Sequence, residues 1–115
     1  MSKNYLISQT QLESLEKMIQ SFIDSALKSI KEESDDWGMG EMESIRTIES
    51  IDSIIVKDVI PQSWGFIVNV VFILSEYGEI GSPSEYQDLR SEIQWKVKEW
   101  IPNVKIFIVD MRKLK

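Results

Sequence analysis

Residues 64–111 read WGFIVNVVFILSEYGEIGSPSEYQDLRSEIQWKVKEWIPNVKIFIVDM, and this stretch decides the fold. In extended chain, Trp64, Phe66, Val68, Val70, Phe72 and Leu74 share one face; Ile67, Val71 and Ile73 share the other, interrupted by Asn69. A strand apolar on both faces belongs at the centre of a sheet with both sides covered. Gly78 and Gly81 then mark a loop. Ser82-Pro83-Ser84-Glu85 opens a helix with a serine cap, a proline in the first helical position and a glutamate at the third. That helix faces the core with Tyr86, Leu89, Ile93, Val97 and Trp100, and Pro102 stops it. Asn103 to Met111 is the last strand, with Val104, Ile106 and Ile108 on one face and Phe107, Val109 and Met111 on the other.

Upstream, apolar residues recur at Leu12, Leu15, Ile19, Phe22, Ile23, Ala26, Leu27 and Ile30, the single stripe of an amphipathic helix from about Thr10 to Glu33. Two capping registers are open at its start: Thr10 with Glu13, or Ser8 with Gln11. Asp35, Asp36, Gly38 and Gly40 end the helix in a loop over 34–42. Between 45 and 60 the spacing of Ile45, Ile48 and Ile51 suits a helix. Ile54, Ile55 and Val56, leading into Pro61, favour a strand, which is assigned to about Thr47–Lys57, with Pro61, Gln62 and Ser63 as the turn.

The expectation is one domain over residues 1–115, an α/β domain of order α-β-β-α-β: a mixed sheet packed by two amphipathic helices. Phe66, Val68, Val70, Phe72, Leu89, Ile93, Val97, Val104, Ile106 and Ile108 form the predicted core, together with Trp64 and Trp100. The second helix can cover only one face of strands that are apolar on both. Either the first helix covers the other, giving three layers, or both helices share a face and the open one dimerises.

Composition narrows the function. The net charge of −6 argues against nucleic-acid binding, which depends on Lys and Arg releasing counterions from phosphate. No cysteine is present, hence no disulfide, thiolate metal site or cysteine nucleophile. The absence of histidine excludes Ser-His catalysis and the commonest transition-metal ligand. Met1–Ser8 has no apolar run and does not read as a signal peptide. The apolar stretch 66–74 is too short to span a membrane. The chain is therefore read as cytoplasmic, with no membrane partner, no cofactor and no catalytic role.

Charge is unevenly distributed. From Glu32 to Asp52 there are eight carboxylates against one base, Arg46, whereas the C-terminal end carries Lys105, Arg112, Lys113 and Lys115 against Asp110. The carboxylates Glu32, Glu33, Asp35, Asp36, Glu41 and Glu43 do not follow the alternating ligand spacing of a calcium loop. Paired carboxylates for glycoside hydrolysis would need a cleft that so short a chain rarely builds. An acidic segment holding Trp37 suits docking on a basic protein, because complementary potentials speed encounter and Trp is enriched among interface anchors. Trp95 falls on the outward side of the second helix, at 100° per residue from Ile93, with Asp88 and Glu99 nearby. The candidate partner-binding residues are Asp35, Asp36, Trp37, Glu41, Glu43, Asp88, Trp95 and Glu99.

In this character the chain resembles bacterial toxin immunity proteins, such as those of contact-dependent inhibition systems, which neutralise nuclease toxins by binding them. The resemblance rests on the acidic stretch Glu32–Glu49 with Trp37 and on the acidic outer face with Trp95. It implies a basic toxin nuclease as partner. The segment Gly65–Arg112 is similar in topology to the C-terminal cytoplasmic domain of cation diffusion facilitators. The histidines of that family's metal site are missing, so this second likeness implies a homodimerisation module without metal.

Overall fold

The computed structural model describes residues 8–36, 48–76 and 83–114, and side chains within 34–36 are not described. Helix α1 spans Gln9–Asp36, strands β1 and β2 span Ile51–Gln62 and Gly65–Leu74, helix α2 spans Pro83–Val97 and strand β3 spans Val104–Lys113. The order is the expected α-β-β-α-β, and the sheet is mixed: β1 pairs antiparallel with the central β2, and β3 pairs parallel with it.

Of the two capping registers for α1, the earlier one forms. The Gln11 amide N–H donates to Ser8 Oγ at 3.1 Å and the Ser8 N–H to Gln11 Oε1 at 3.0 Å, a reciprocal box that starts the helix at Gln9. At α2, Pro83 is the first helical residue, as its fixed φ favours. The helix ends at Val97, earlier than Pro102 alone suggests, and residues 98–100 form turns closed by bonds from Trp100 N and Ile101 N to the Val97 carbonyl.

β1 differs from the sequence expectation at both ends. Residues 48–50 are helical, so the strand begins at Ile51 rather than Thr47. It continues through Pro61 and Gln62, and Gln62 pairs with Gly65 across a two-residue turn at Ser63-Trp64. Pro61 is tolerated because β1 is an edge strand, where a residue lacking an N–H leaves no ladder bond unmade. Gly65 cannot be replaced freely: its φ is 156°, and a Cβ there would stand 1.9 Å from the Asn103 carbonyl oxygen, the same oxygen that accepts from the Phe66 N–H at 2.8 Å.

The layering settles which face is covered. The buried sheet residues Ile51, Ile54, Val59, Val68, Val70, Phe72, Leu74, Val104 and Ile106 form one cluster with Ile19, Ile23, Ala26, Leu27 and Ile30 of α1 and Tyr86, Leu89, Ile93 and Val97 of α2. Both helices therefore lie on the same face, α1 over β1 and α2 over β3, and the domain has two layers rather than three. The predicted core is buried, with Phe66 and Ile108 only partly so. Two tryptophans assigned to the core are not in it. Trp64 is 42% exposed in the hairpin turn, beneath the ammonium of Lys105, and Trp100 is 46% exposed, stacked on Phe22 of α1 at a centroid distance of 5.0 Å. Each lies beyond the end of a regular element, where an aromatic ring can cover a seam with one side in water.

Candidate functional site

Three surfaces of the domain carry polar or exposed apolar side chains in sufficient number to form a site: the groove between α1 and β1, the outer face of α2 and the helix-free face of the sheet. Among the described residues no group of three or more Asp, Glu, His or Cys side chains is placed to hold a metal ion. The groove between α1 and β1 is shallow and of mixed charge, lined by Glu13, Glu16, Lys17, Gln20, Val56 and Lys57, without a convergent set of acid and base. Among the described residues, no helix is long and apolar enough to cross a membrane.

The second surface is the outer face of α2. Tyr86, Leu89, Ile93 and Val97 point inward at helical spacing, which turns Asp88, Glu92 and Trp95 outward. Trp95 is 74% exposed, the largest exposure of any big apolar side chain described. Asp88 precedes it by two turns, about 10 Å along the axis, and exposed Glu99 follows in the turn beyond the helix. Lys96 donates to Glu33 at 3.0 Å, so the end of α1 lies beside the last turn of α2, next to Trp95 in sequence. The backbone of Asp35 and Asp36 forms the final two residues of α1, at this same end of the domain. The structure thus brings Asp88, Trp95 and Glu99 onto one surface and the end of α1 alongside it. Trp37, Glu41 and Glu43 lie outside the described residues.

The third surface was legible only as an alternative. On the side of the sheet away from the helices, the paired rows are Ile60–Ile67–Lys105, Asp58–Asn69–Phe107 and Ser53–Ile73–Arg112, with Ile55 opposite Val71 between the last two. Ile55 and Phe107 are 45% and 46% exposed. The alternation in β3 is broken by a bulge after Ile108: Asp110 pairs with Val71 and Met111 with Phe72, which returns Met111 to the helix side instead of leaving it beside Phe107. Asp110 accepts from Arg112 Nε at 2.9 Å and from the Met111 N–H at 2.8 Å. Those two bonds, the Arg112 one foremost, hold its carboxyl below the ordinary aspartate range.

Both sheet edges are closed by glutamine side chains that nothing in the sequence singles out. On β1, Gln20 of α1 donates from Nε2 to the Ile54 carbonyl at 2.7 Å and accepts the Val56 N–H at 2.8 Å; Lys31 donates to the Ile51 carbonyl. On β3, Gln94 of α2 accepts the Ile106 N–H at 2.8 Å, while Arg90 donates to the Ile106 carbonyl and to Gln94 Oε1, each at 3.1 Å. Each helix thus supplies an amide that stands in for a further strand.

Comparison of the chain with protein-family models, characterised proteins and solved structures returns no match.

Proposed function

We propose that this chain is an acidic binding protein of the immunity type, a stoichiometric inhibitor that docks on a basic protein, a toxin nuclease domain, through the outer face of α2 and the adjoining end of α1. It acts in the cytoplasm by binding, with no catalytic step and no cofactor of its own. The observation that carries this reading is Trp95, 74% exposed on a helix face whose nearest outward carboxylates are Asp88, Glu92 and Glu99. A tryptophan so placed stabilises the free domain little, yet it offers the broad apolar area that anchors an interface once desolvated. The surrounding carboxylates steer a basic partner and are screened over about 10 Å at 0.1 M salt.

The test is a titration against the protein encoded immediately upstream, since an immunity gene follows that of its toxin. The expected result is a 1:1 complex and protection of cells expressing the toxin. Association slows with salt, and Trp95→Ala speeds dissociation by roughly 30-fold if the ring contributes about 2 kcal/mol. Absence of binding and of protection would overturn the proposal. Unchanged kinetics for Trp95→Ala and for Asp88→Asn with Glu99→Gln, in folded protein, would move the interface elsewhere.

A further inference from the structure

We infer that Trp95 is the floor of an arginine-binding site, on which a guanidinium of the partner protein lies flat while donating from its edge to Glu92 and Glu99. The inference rests on the reading of α2 as the docking face, and it adds which side chain that face selects.

The ring has the setting of a cation site and no cation of its own. At about 100° per residue, Glu92 and Glu99 fall about 60° and about 40° to one side of Trp95, one helical turn before it and one after. Glu99 keeps this place past the end of α2 because the backbone goes on coiling: the Lys98 N–H donates to the Gln94 carbonyl at 3.0 Å and the Ile101 N–H to the Val97 carbonyl at 2.9 Å. Both glutamates are exposed. The neighbouring bases are directed elsewhere. Lys96 donates to Glu33 at 3.0 Å, and Arg90 donates to Gln87, Ser91, Gln94 and the Ile106 carbonyl, against the β3 edge. Lys98 falls about 60° to the other side of Trp95, away from the two glutamates.

The same domain shows what an occupied ring looks like. Among the described residues, the cation that lies over an aromatic ring is Lys105, its Nζ 5.2 Å from the centroid of Trp64. Trp64 beneath its lysine is 42% exposed, whereas Trp95 is 74% exposed with carboxylates beside it. A cation from outside is the complement of that arrangement.

Shape selects arginine over lysine. An ammonium takes a ring as a point charge, as Lys105 does. A guanidinium is planar, so when stacked on the indole it keeps its N–H groups in the plane of stacking, aimed at carboxylates that stand beside the ring. Glu92 and Glu99 stand on the same flank, which suits a fork of donors, and their bonds to it are charge-assisted and roughly twice as strong as neutral ones.

The test titrates the full isotope-labelled chain at low salt with two blocked peptides of equal length and charge, one alternating arginine with serine and the other lysine with serine. The Trp95 indole N–H resonance, assigned by its loss in Trp95→Leu, reads binding. The arginine peptide should bind at least about fivefold more tightly than the lysine peptide and shift the Trp95 indole together with the Glu92 and Glu99 amides. Trp95→Leu keeps an apolar side chain at an exposed position and should leave the thermal midpoint in place, yet the preference for arginine should vanish, read from the two glutamate amides. Glu92→Gln with Glu99→Gln should bring the arginine peptide down to the affinity of the lysine peptide. Equal affinity of the two peptides for the parent chain overturns the inference, as do shifts that spare the Trp95 indole or a preference that survives Trp95→Leu. The upstream protein separates this outcome from the function proposed above. A complex that tolerates lysine in place of every interfacial arginine of that protein overturns the arginine site and keeps the inhibitor. Discrimination between the peptides without binding of that protein supports the site and removes the inhibitor.

Discussion

Replacing Gln20 by alanine tests how β1 is held. The side chain lies on α1, a helix whose buried stripe does not require it, yet its amide makes two bonds with β1, to the Ile54 carbonyl at 2.7 Å and from the Val56 N–H at 2.8 Å. A hydrogen bond of this kind contributes about 1 kcal/mol net, so the pair is worth about 2 kcal/mol if both strand groups stay dry after truncation. They do not stay fully dry, because the groove lined by Glu16, Lys17 and Lys57 admits water to them. The expected loss is therefore about 1.5 kcal/mol, seen in urea as a lower midpoint with unchanged slope and as a fall of roughly 5 °C in melting temperature. Hydrogen exchange should localise the effect, with the Val56 amide losing more protection than the Val70 amide opposite it. Gln20→Glu keeps an acceptor for Val56 but aims a carboxylate at the Ile54 carbonyl. It should destabilise at least as much at neutral pH and recover as the new carboxyl is protonated. A Gln20→Ala variant within about 0.5 kcal/mol of the parent, with Val56 still protected, would refute the view that this amide substitutes for a missing strand.

Gly65→Ala should lose more than about 1 kcal/mol from backbone strain, and nearer 3 kcal/mol if the Phe66–Asn103 bond breaks as well, measured by chemical denaturation. Val70→Ala and Ile106→Ala should lose about 1 to 4 kcal/mol, with Ile106 at the upper end because more buried carbon is removed from a site only 1% exposed. For Asp110 the folded-state pKa is lowered, so the stability it contributes is present above the ordinary aspartate range and is lost as pH falls through the lowered value. A carboxyl titration followed by NMR should place its midpoint below that of a free aspartate, and Arg112→Gln should return it toward the ordinary range.

The features readable from sequence are those with local physical causes. The proline start of α2, the inward stripes of both helices and the apolar β2 each follow from spacing within one element, and each stands where spacing puts it except at two ends, where Trp64 and Trp100 fall outside the strand and the helix and are half-exposed. The boundaries of β1 were less legible because Pro61 signals a turn unless the strand is known to be an edge, and edge position is a property of the assembled sheet. Bulges between Ile51 and Ser53, between Val56 and Asp58 and after Ile108 each reset the alternation, which is why Met111 was placed on the wrong side. Trp95 was placed outward by helical geometry alone. Gln20 and Gln94 gave no signal: each is a polar residue on a helix, and its partners stand 34, 36 and 12 residues away. That both helices share one face was one of two arrangements compatible with the pattern; only the joint cluster of α1, α2 and sheet residues separates them.

The parallel pairing of β3 with the central strand has a consequence for synthesis. β2 is complete at Leu74, but the strand that occupies its second edge ends at Lys113, and the Leu114 N–H donates to the Leu74 carbonyl at 2.8 Å to close the ladder. At about 5 to 20 residues per second, translation leaves roughly 2 to 8 seconds in which the hairpin exists without β3. During that interval β2, the most apolar segment of the chain, has an open edge, and of the two helices that cover the sheet only α1 is already made. An unpaired edge on so apolar a strand is the template on which other strands pair, so the parallel topology leaves the chain open to mispairing until its last strand is made.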